Sequence, residues 1–402
     1  MLIASVAAIA IGVYAPKGIS EDNKRPANDP AGVAVEKGVK WLVSVQGKDG
    51  GWGQDGGETS YIRQGERVEA TGNDVANTAV AAAALAHTGN TPANGPYRKE
   101  LQRAVEFILT HVEKSSENGL EVTDLKGTQI QRKLGPYIDT FLTSKLLAEL
   151  DGTMGSVEAN LRVRRDLEKC VAKIEKNQLK DGSWNLAGGW APILGTSMAS
   201  RSLFMAQQKG VTVSGIALLK TEDYTQKTGE AIASARTSGT GVLGGVGAGT
   251  GPRIPASAET VTVTALATAA MTVSAGVPLY QSAQELEQLT RTQADRDKNR
   301  KKIKTITEKF SNPQFVNGFG SFGGEEFFSY LNISDSLHRG GGPEWEGWNR
   351  DIKARMVKLQ NADGTWAGHH CITGRVAVTS AAILTLLAEL DTVDSPTGTK
   401  RN

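Results

Sequence analysis

Charged and apolar stretches alternate along the chain, and their spacing predicts six pairs of helices. The first member of each pair is charged and amphipathic; in 158–178, Arg164 and Glu168 lie on one face, with Leu167 and Val171 on the other. The second member is nearly uncharged in four of the six pairs, and 75–87 and 261–273 are small or apolar almost all round, which is typical of a buried helix. We predict first helices near residues 32–46, 97–113, 158–178, 221–235, 283–310 and 346–360, and second helices near 74–88, 137–150, 193–208, 257–274, 324–338 and 371–390.

This sixfold alternation predicts an all-α fold, specifically an (α/α)6 toroid. In that arrangement an inner ring of apolar helices is wrapped by an outer ring of amphipathic ones, and short connections join antiparallel neighbours. We predict one domain over residues 32–391, with 392–402 as a disordered tail. An open α-solenoid is the alternative, because stacked repeats can bury the same faces without closing.

A seven-residue motif, Gln-x-x-Asp-Gly-x-Trp, occurs three times. The copies are Gln46–Trp52, Gln178–Trp184 and Gln360–Trp366, and each lies between a charged and an apolar helix. The Asp-Gly pair ends a helix and turns the chain. The Trp then presents a large apolar face and one N–H group to the junction of neighbouring helices, so we expect all three tryptophans to be buried.

The first copy extends upstream to Lys37, Gly38, Trp41 and Leu42, and in this form it resembles the QW repeat of squalene–hopene and terpene cyclases. Protein prenyltransferase β-subunits share the repeat in looser form. The segments 319–330 and 368–375 resemble the exported bacterial prenyltransferase/squalene-oxidase-repeat proteins. The resemblance implies a toroid over residues 32–390 that binds or acts on a small apolar, isoprenoid- or lipid-like molecule in its central cavity. It carries no settled activity with it.

The chemical motifs of those relatives are incomplete in this chain. Squalene–hopene cyclases carry Asp-x-Asp-Asp at the start of an inner helix, and the nearest stretch here, 73–79, offers only Asp74, which is the N-cap of a helix on the simplest interpretation. The prenyltransferase zinc pair Asp-x-Cys is absent. An enzyme of this kind would therefore be a transferase- or cyclase-like isoprenoid enzyme without either motif. The alternative is a non-catalytic extracytoplasmic toroid that binds a ligand or a protein.

Polar side chains at the starts of the inner helices form the candidate site. Helix starts carry unpaired N–H groups and the positive end of the helix dipole, so inner helices that all begin at one mouth would favour an anion there. The residues for which we predict catalytic roles are Glu325, Glu326, His370 and Cys371. Those for which we predict ligand binding are Asp74, Tyr330, His369 and Arg375.

Within this set, we expect Glu325 or Glu326 to approach His369, His370 or Cys371. A thiol at a helix start is expected to have a lowered pKa, so Cys371 would react as a thiolate, with His370 as its proton partner. Histidine, cysteine and carboxylate side chains are also zinc ligands. Zinc is therefore possible, although we predict no cofactor and assign no metal ligand. Packing and helix capping without a chemical task is the structural alternative.

Composition and the N-terminal segment bear on partners and location. A net charge of +2 with 22% charged residues gives no reason to expect nucleic acid as a partner. Residues 1–15 carry no charged side chain and are too short to span a bilayer. They are typical of a signal-peptide core or a truncated anchor, followed by a linker over 16–31. We therefore expect an exported protein, periplasmic or in the cell envelope, that contacts membrane only through this segment.

Overall fold

The computed structural model describes residues 29–55, 72–184, 192–237, 277–318 and 323–390. The described chain is all-α, as predicted, apart from one two-residue antiparallel pairing of β1 (Trp52–Gly53) with β2 (Asn73–Asp74). The predicted segments 1–15 and 392–402, the linker up to residue 28 and the predicted helix 257–274 lie outside the described residues. None of the helices within the described ranges is long and apolar enough to be a membrane-spanning segment.

The described helices fall into two groups, and six of them form the buried group. These are α2 (Val75–His87), α5 (Ile138–Leu150), α7 (Pro192–Gln208), α9 (Val277–Leu289), α12 (Gly324–Gly340) and α14 (Arg375–Leu387). The more exposed group is α1 (Pro30–Ser44), α3 (Arg98–Lys114), α6 (Val157–Lys176), α8 (Gly215–Thr237), α10 (Gln293–Glu308) and α13 (Gly342–Leu359). Two short helices, α4 (Gln129–Leu134) and α11 (Pro313–Val316), and 3₁₀ turns at Lys309–Ser311 and Ala388–Leu390 complete the described elements.

Among these six described helices each packs on the next, from α2 through α5, α7, α9 and α12 to α14, and α14 packs on α2. The starts of neighbouring buried helices meet. The Ala76 N–H of α2 donates to Asp139 Oδ1 of α5, and the Val376 N–H of α14 donates to the Gln54 carbonyl beside β1. The polar residues at these starts therefore lie at one end of the helix assembly, which we call the mouth.

The predicted helix 283–310 is wrong, because the structure divides it in two. The segment 277–289 forms the buried helix α9, and a new helix, α10, begins after Thr292. The Thr292 side chain accepts a hydrogen bond from the Asp295 N–H, while the Asp295 carboxylate accepts the Thr292 N–H, so a reciprocal cap starts α10 at this point. The buried charge of Glu287 in α9 is paired with Arg291, at 3.0 Å.

The three tryptophans of the repeated motif are buried, as predicted, with exposed fractions of 0%, 4% and 0% for Trp52, Trp184 and Trp366. Each indole N–H donates to a carbonyl in the last turn of the preceding helix, at 2.7–2.8 Å: to Leu42, Ile174 and Met356 respectively. Carbonyls in the last turn of a helix lack the regular helical donor four residues on, and the tryptophan supplies a donor to one of them.

The glutamine of each motif copy joins two exposed helices. Gln46 donates to the Glu100 carbonyl of α3, and Gln178 donates to the Ala217 carbonyl of α8. Gln360, at the end of α13, donates to the Ala34 carbonyl of α1, at 2.8 Å. The last copy of the motif is therefore bonded to α1, the first of the described helices.

Candidate functional site

The candidate site lies at the mouth, where the start of α12 meets the loop 369–374 that precedes α14. The Gly324 N–H donates to the Ile372 carbonyl at 3.0 Å, and the Ile372 N–H donates to Glu325 Oε2 at 3.2 Å. A side-chain carbon at Gly323 would overlap the His370 ring, and one at Gly324 would overlap Ile372. Glycine is therefore needed at both positions for the loop to approach the helix this closely.

Three potential ligand atoms converge here. A carboxylate oxygen of Glu325, a ring nitrogen of His370 and the Cys371 sulfur all lie within 4.8 Å of one another. Glu325 is fully buried, and only 15% of the His370 side chain is exposed. The structure thus brings together three of the four residues for which we predict catalytic roles.

Glu326, the fourth of these residues, lies behind His370. Its Oε2 is 3.8 Å from His370 Nε2, and its Oε1 accepts a hydrogen bond from the Tyr280 hydroxyl at 3.1 Å. Tyr280 belongs to α9 and is 1% exposed. Tyr280 is not among the residues predicted for the site, because most of α9 was predicted to belong to an exposed helix.

The electrostatics of the cluster contradict the expected thiolate. Burial, and then the Glu325 carboxylate, raise the pKa of Cys371 well above its ordinary value. Burial and the neighbouring Glu326 raise the pKa of Glu325 to about 7. The expected lowering of the Cys371 pKa is wrong because α14 begins at Arg375, so Cys371 lies outside the first turn and faces carboxylates instead.

Cys371 also has an unusual backbone. Its φ is 57°, the one positive φ of a non-glycine residue among the described residues. A side chain with a β-carbon is strained in this left-handed region. Such strain is found where the surrounding structure holds a residue in place, often at functional sites.

The remaining candidates lie elsewhere or are already paired. His369 is exposed, and the Tyr330 hydroxyl donates to the Val316 carbonyl at 2.7 Å. Arg375 is ion-paired with Asp55 at 2.8 Å and with Asp363 at 3.2 Å, so its charge is balanced within the chain.

Asp74 is the N-cap of α2, accepting the Asn77 N–H at 2.8 Å, as its simplest interpretation predicts. It is 3% exposed, and burial followed by the nearby charge of Asp139 raises its pKa to about 7. Burial raises the pKa of Asp139 to about 6. A second pair of buried carboxylates therefore lies at the starts of α2 and α5.

Below the mouth, between the buried helices, there is a small cavity of about 20 Å³. Its wall is mainly apolar and includes Phe141, Met198, Phe328 and Leu331, with Asn332 among its polar residues. A cavity of this volume holds about one water molecule. This cavity is therefore much smaller than a lipid-sized ligand.

Comparisons of the chain with protein-family models, with curated proteins and with solved structures find no match.

Proposed function

We propose that the chain is a closed (α/α)6 toroid of the QW-repeat type. Two observations support closure over an open solenoid. The buried helices contact one another in chain order and α14 contacts α2, and Gln360 of the last motif copy bonds to Ala34 in the first helix. In an open solenoid each repeat contacts only its neighbours, so the first and last repeats would not meet.

We propose further that the mouth of this toroid binds a divalent metal ion, with zinc the best fit. The observation that carries the proposal is the convergence of Glu325, His370 and Cys371 donor atoms within 4.8 Å. Three ligands drawn from cysteine, histidine and carboxylate, with a fourth position left open, are typical of a catalytic zinc site.

The charge balance of the cluster supports the same proposal. Two fully buried carboxylates and a thiol meet here, and Oε1 of Glu325 is buried with no N–H or O–H donor bonded to it. Buried charges are stable only when they are paired or coordinate a metal. A divalent cation would neutralise Glu325 and favour the thiolate form of Cys371.

In this proposal each residue of the chain has a distinct task. Glu325, His370 and Cys371 hold the ion, and Glu326 orients His370 in the way that outer carboxylates orient metal-bound histidines. Tyr280, by donating to Glu326, fixes that carboxylate. The bound ion would supply Lewis-acid chemistry or an activated ligand at its open position.

The ligand class that we propose is an isoprenoid- or lipid-like molecule whose polar or anionic head binds at the mouth. We also propose export through residues 1–15. The alternative is a non-catalytic toroid that binds a ligand or protein outside the cytoplasm, and the small cavity of about 20 Å³ favours it.

Metal binding is tested by measuring the zinc content of the purified protein and by titrating the metal-free protein with Co²⁺, whose thiolate complexes absorb light. We expect one equivalent per chain, and loss of binding in Cys371→Ser, Glu325→Gln and His370→Ala. The matched control is Cys170→Ser, because Cys170 is a buried thiol on α6 that should not contribute. Unchanged cobalt absorption in Cys371→Ser would overturn the proposal.

Turnover separates the two candidate functions. The zinc-loaded protein is incubated with a prenyl diphosphate, and diphosphate release is measured beside Cys371→Ser. Release that requires Cys371 supports the enzyme. Stoichiometric zinc without release supports the binding toroid.

A further inference from the structure

Gln129 lies far from the loop 369–374 in the sequence but contacts it in the structure. It is the first residue of α4, whose start is capped reciprocally by Thr128 and Gln131. The Gln129 side chain is 2% exposed and lies at the mouth, 244 residues before its partner Thr373 in the sequence.

The Gln129 amide makes three hydrogen bonds to the loop. Its Oε1 accepts the N–H groups of Thr373 and Gly374, both at 2.9 Å, and its Nε2 donates to Thr373 Oγ1 at 2.8 Å. These two N–H groups immediately precede α14 and have no partner within that helix. One side chain therefore satisfies both donors and fixes the end of the loop.

The other side of the loop is fixed by α12, through the bonds of Ile372 to Gly324 and Glu325. Cys371 directly precedes residues 372–374, which are bonded to α12 on one side and to Gln129 on the other, and it has the positive φ of 57°. A freed loop would relax to negative φ, because the left-handed conformation is strained for any residue with a β-carbon. That rotation would turn the thiol away from Glu325 and His370.

From this geometry we infer that Gln129 is a positioning residue for the metal site, holding Cys371 in its strained conformation so that the sulfur faces Glu325 and His370. The inference rests on the proposed metal site. It assigns to α4 a function in that site that no motif of the sequence indicates.

The test compares Gln129→Met with Gln129→Glu. Methionine has a similar length and removes all three bonds, whereas glutamate keeps an oxygen that can accept the two N–H groups. We expect Gln129→Met to weaken Co²⁺ binding by about 10- to 100-fold, as loss of an outer-shell partner does, and Gln129→Glu to remain within a few-fold of wild type. The matched control is Gln102→Met in α3, whose amide donates to the Pro92 carbonyl and not to the loop.

A second readout uses the metal-free protein. Release of the loop should raise the labelling rate of Cys371 by a thiol reagent at fixed pH in Gln129→Met, whereas the rate in Gln102→Met should equal that of the wild type. If wild-type protein binds no Co²⁺ but this difference in labelling is seen, the metal proposal fails and the positioning role of Gln129 stands. Equal labelling of Gln129→Met and wild type would overturn the inference. Should Gln129→Met not fold, Gln129→Asn, too short to reach both N–H groups, takes its place with the same expected results.

Discussion

Replacement of Trp366 by phenylalanine tests whether the repeated motif stabilises the fold through its indole N–H group. Trp366 is fully buried and donates to the Met356 carbonyl at 2.8 Å. Phenylalanine cannot donate, so this last-turn carbonyl would stay buried without a partner, at a cost of about 1–3 kcal/mol. The smaller ring also buries less apolar surface, which costs about 1–2 kcal/mol at ~0.8 kcal/mol for each CH₂ equivalent.

The expected total loss of unfolding free energy in Trp366→Phe is therefore roughly 2–5 kcal/mol, a large part of the ~5–15 kcal/mol of a typical protein. The matched control is Trp345→Phe in α13. Trp345 is 9% exposed, and its indole nitrogen has no hydrogen-bond partner among the described residues. Its replacement should cost only the apolar part.

The assay is urea unfolding followed by far-UV circular dichroism, which does not depend on tryptophan fluorescence. Because the same bond recurs at Trp52 and Trp184, their phenylalanine variants should lose similar amounts. A Trp366→Phe variant no less stable than Trp345→Phe would refute the view that the motif caps the helix end through its N–H group.

Three further predictions concern the mouth. Burial raises the pKa of Asp74 from 3.8 to about 7, so its contribution to stability is fully present below pH 3.8 and is lost as pH rises through 7. Asparagine also caps a helix but does not ionise, so Asp74→Asn should avoid a loss of up to ~4 kcal/mol in the free energy of unfolding. The urea midpoint of this variant should therefore depend less on pH between 4 and 8 than that of the wild type. Cys371 should react slowly with a thiol reagent at pH 7.5, and it should react faster in Glu325→Gln. The fully buried Cys170 should react only after unfolding. Labelling of Cys371 at the rate of free cysteine would contradict its raised pKa. Gly323→Ala should displace His370 and abolish Co²⁺ binding, whereas Gly347→Ala, with open space around it in α13, should leave binding unchanged and stabilise the helix by ~0.5–1 kcal/mol.

Much of the helical fold was predictable because it depends on local patterns. The spacing of Trp52, Trp184 and Trp366 predicted their burial, and the alternation of charged and apolar segments predicted most of the described helices. Among the longer helices the exception was α9, whose charged residues made it resemble an exposed helix. Pairing of Glu287 with Arg291 is what allows that charge to be buried. The reciprocal cap Thr292–Asp295 was present in the sequence as a signal for the helix boundary.

The candidate site was only partly predictable, because its chemistry depends on contacts between distant segments. Proximity of Glu325 to His370 and Cys371 follows from neighbouring helix starts, which the sequence indicates. The effect of that proximity on Cys371 was wrongly predicted, since its pKa depends on burial and on carboxylates and not on the helix dipole. Nothing in the local pattern connects Gln129 to Thr373, because that contact spans 244 residues.

The bond from Gln360 to Ala34 has a consequence for how the chain is made. α1 is synthesised early, but its native partners in α13 and α14 emerge from the ribosome only about 310 residues later. Until then its apolar face, which includes Val39 and Leu42, has few native neighbours, and unfinished chains of this kind aggregate readily. α1 therefore gains most of its native contacts only after the last repeat has been synthesised. A chain released from a ribosome that stalls before residue 360 would lack native contacts at its beginning as well as at its end.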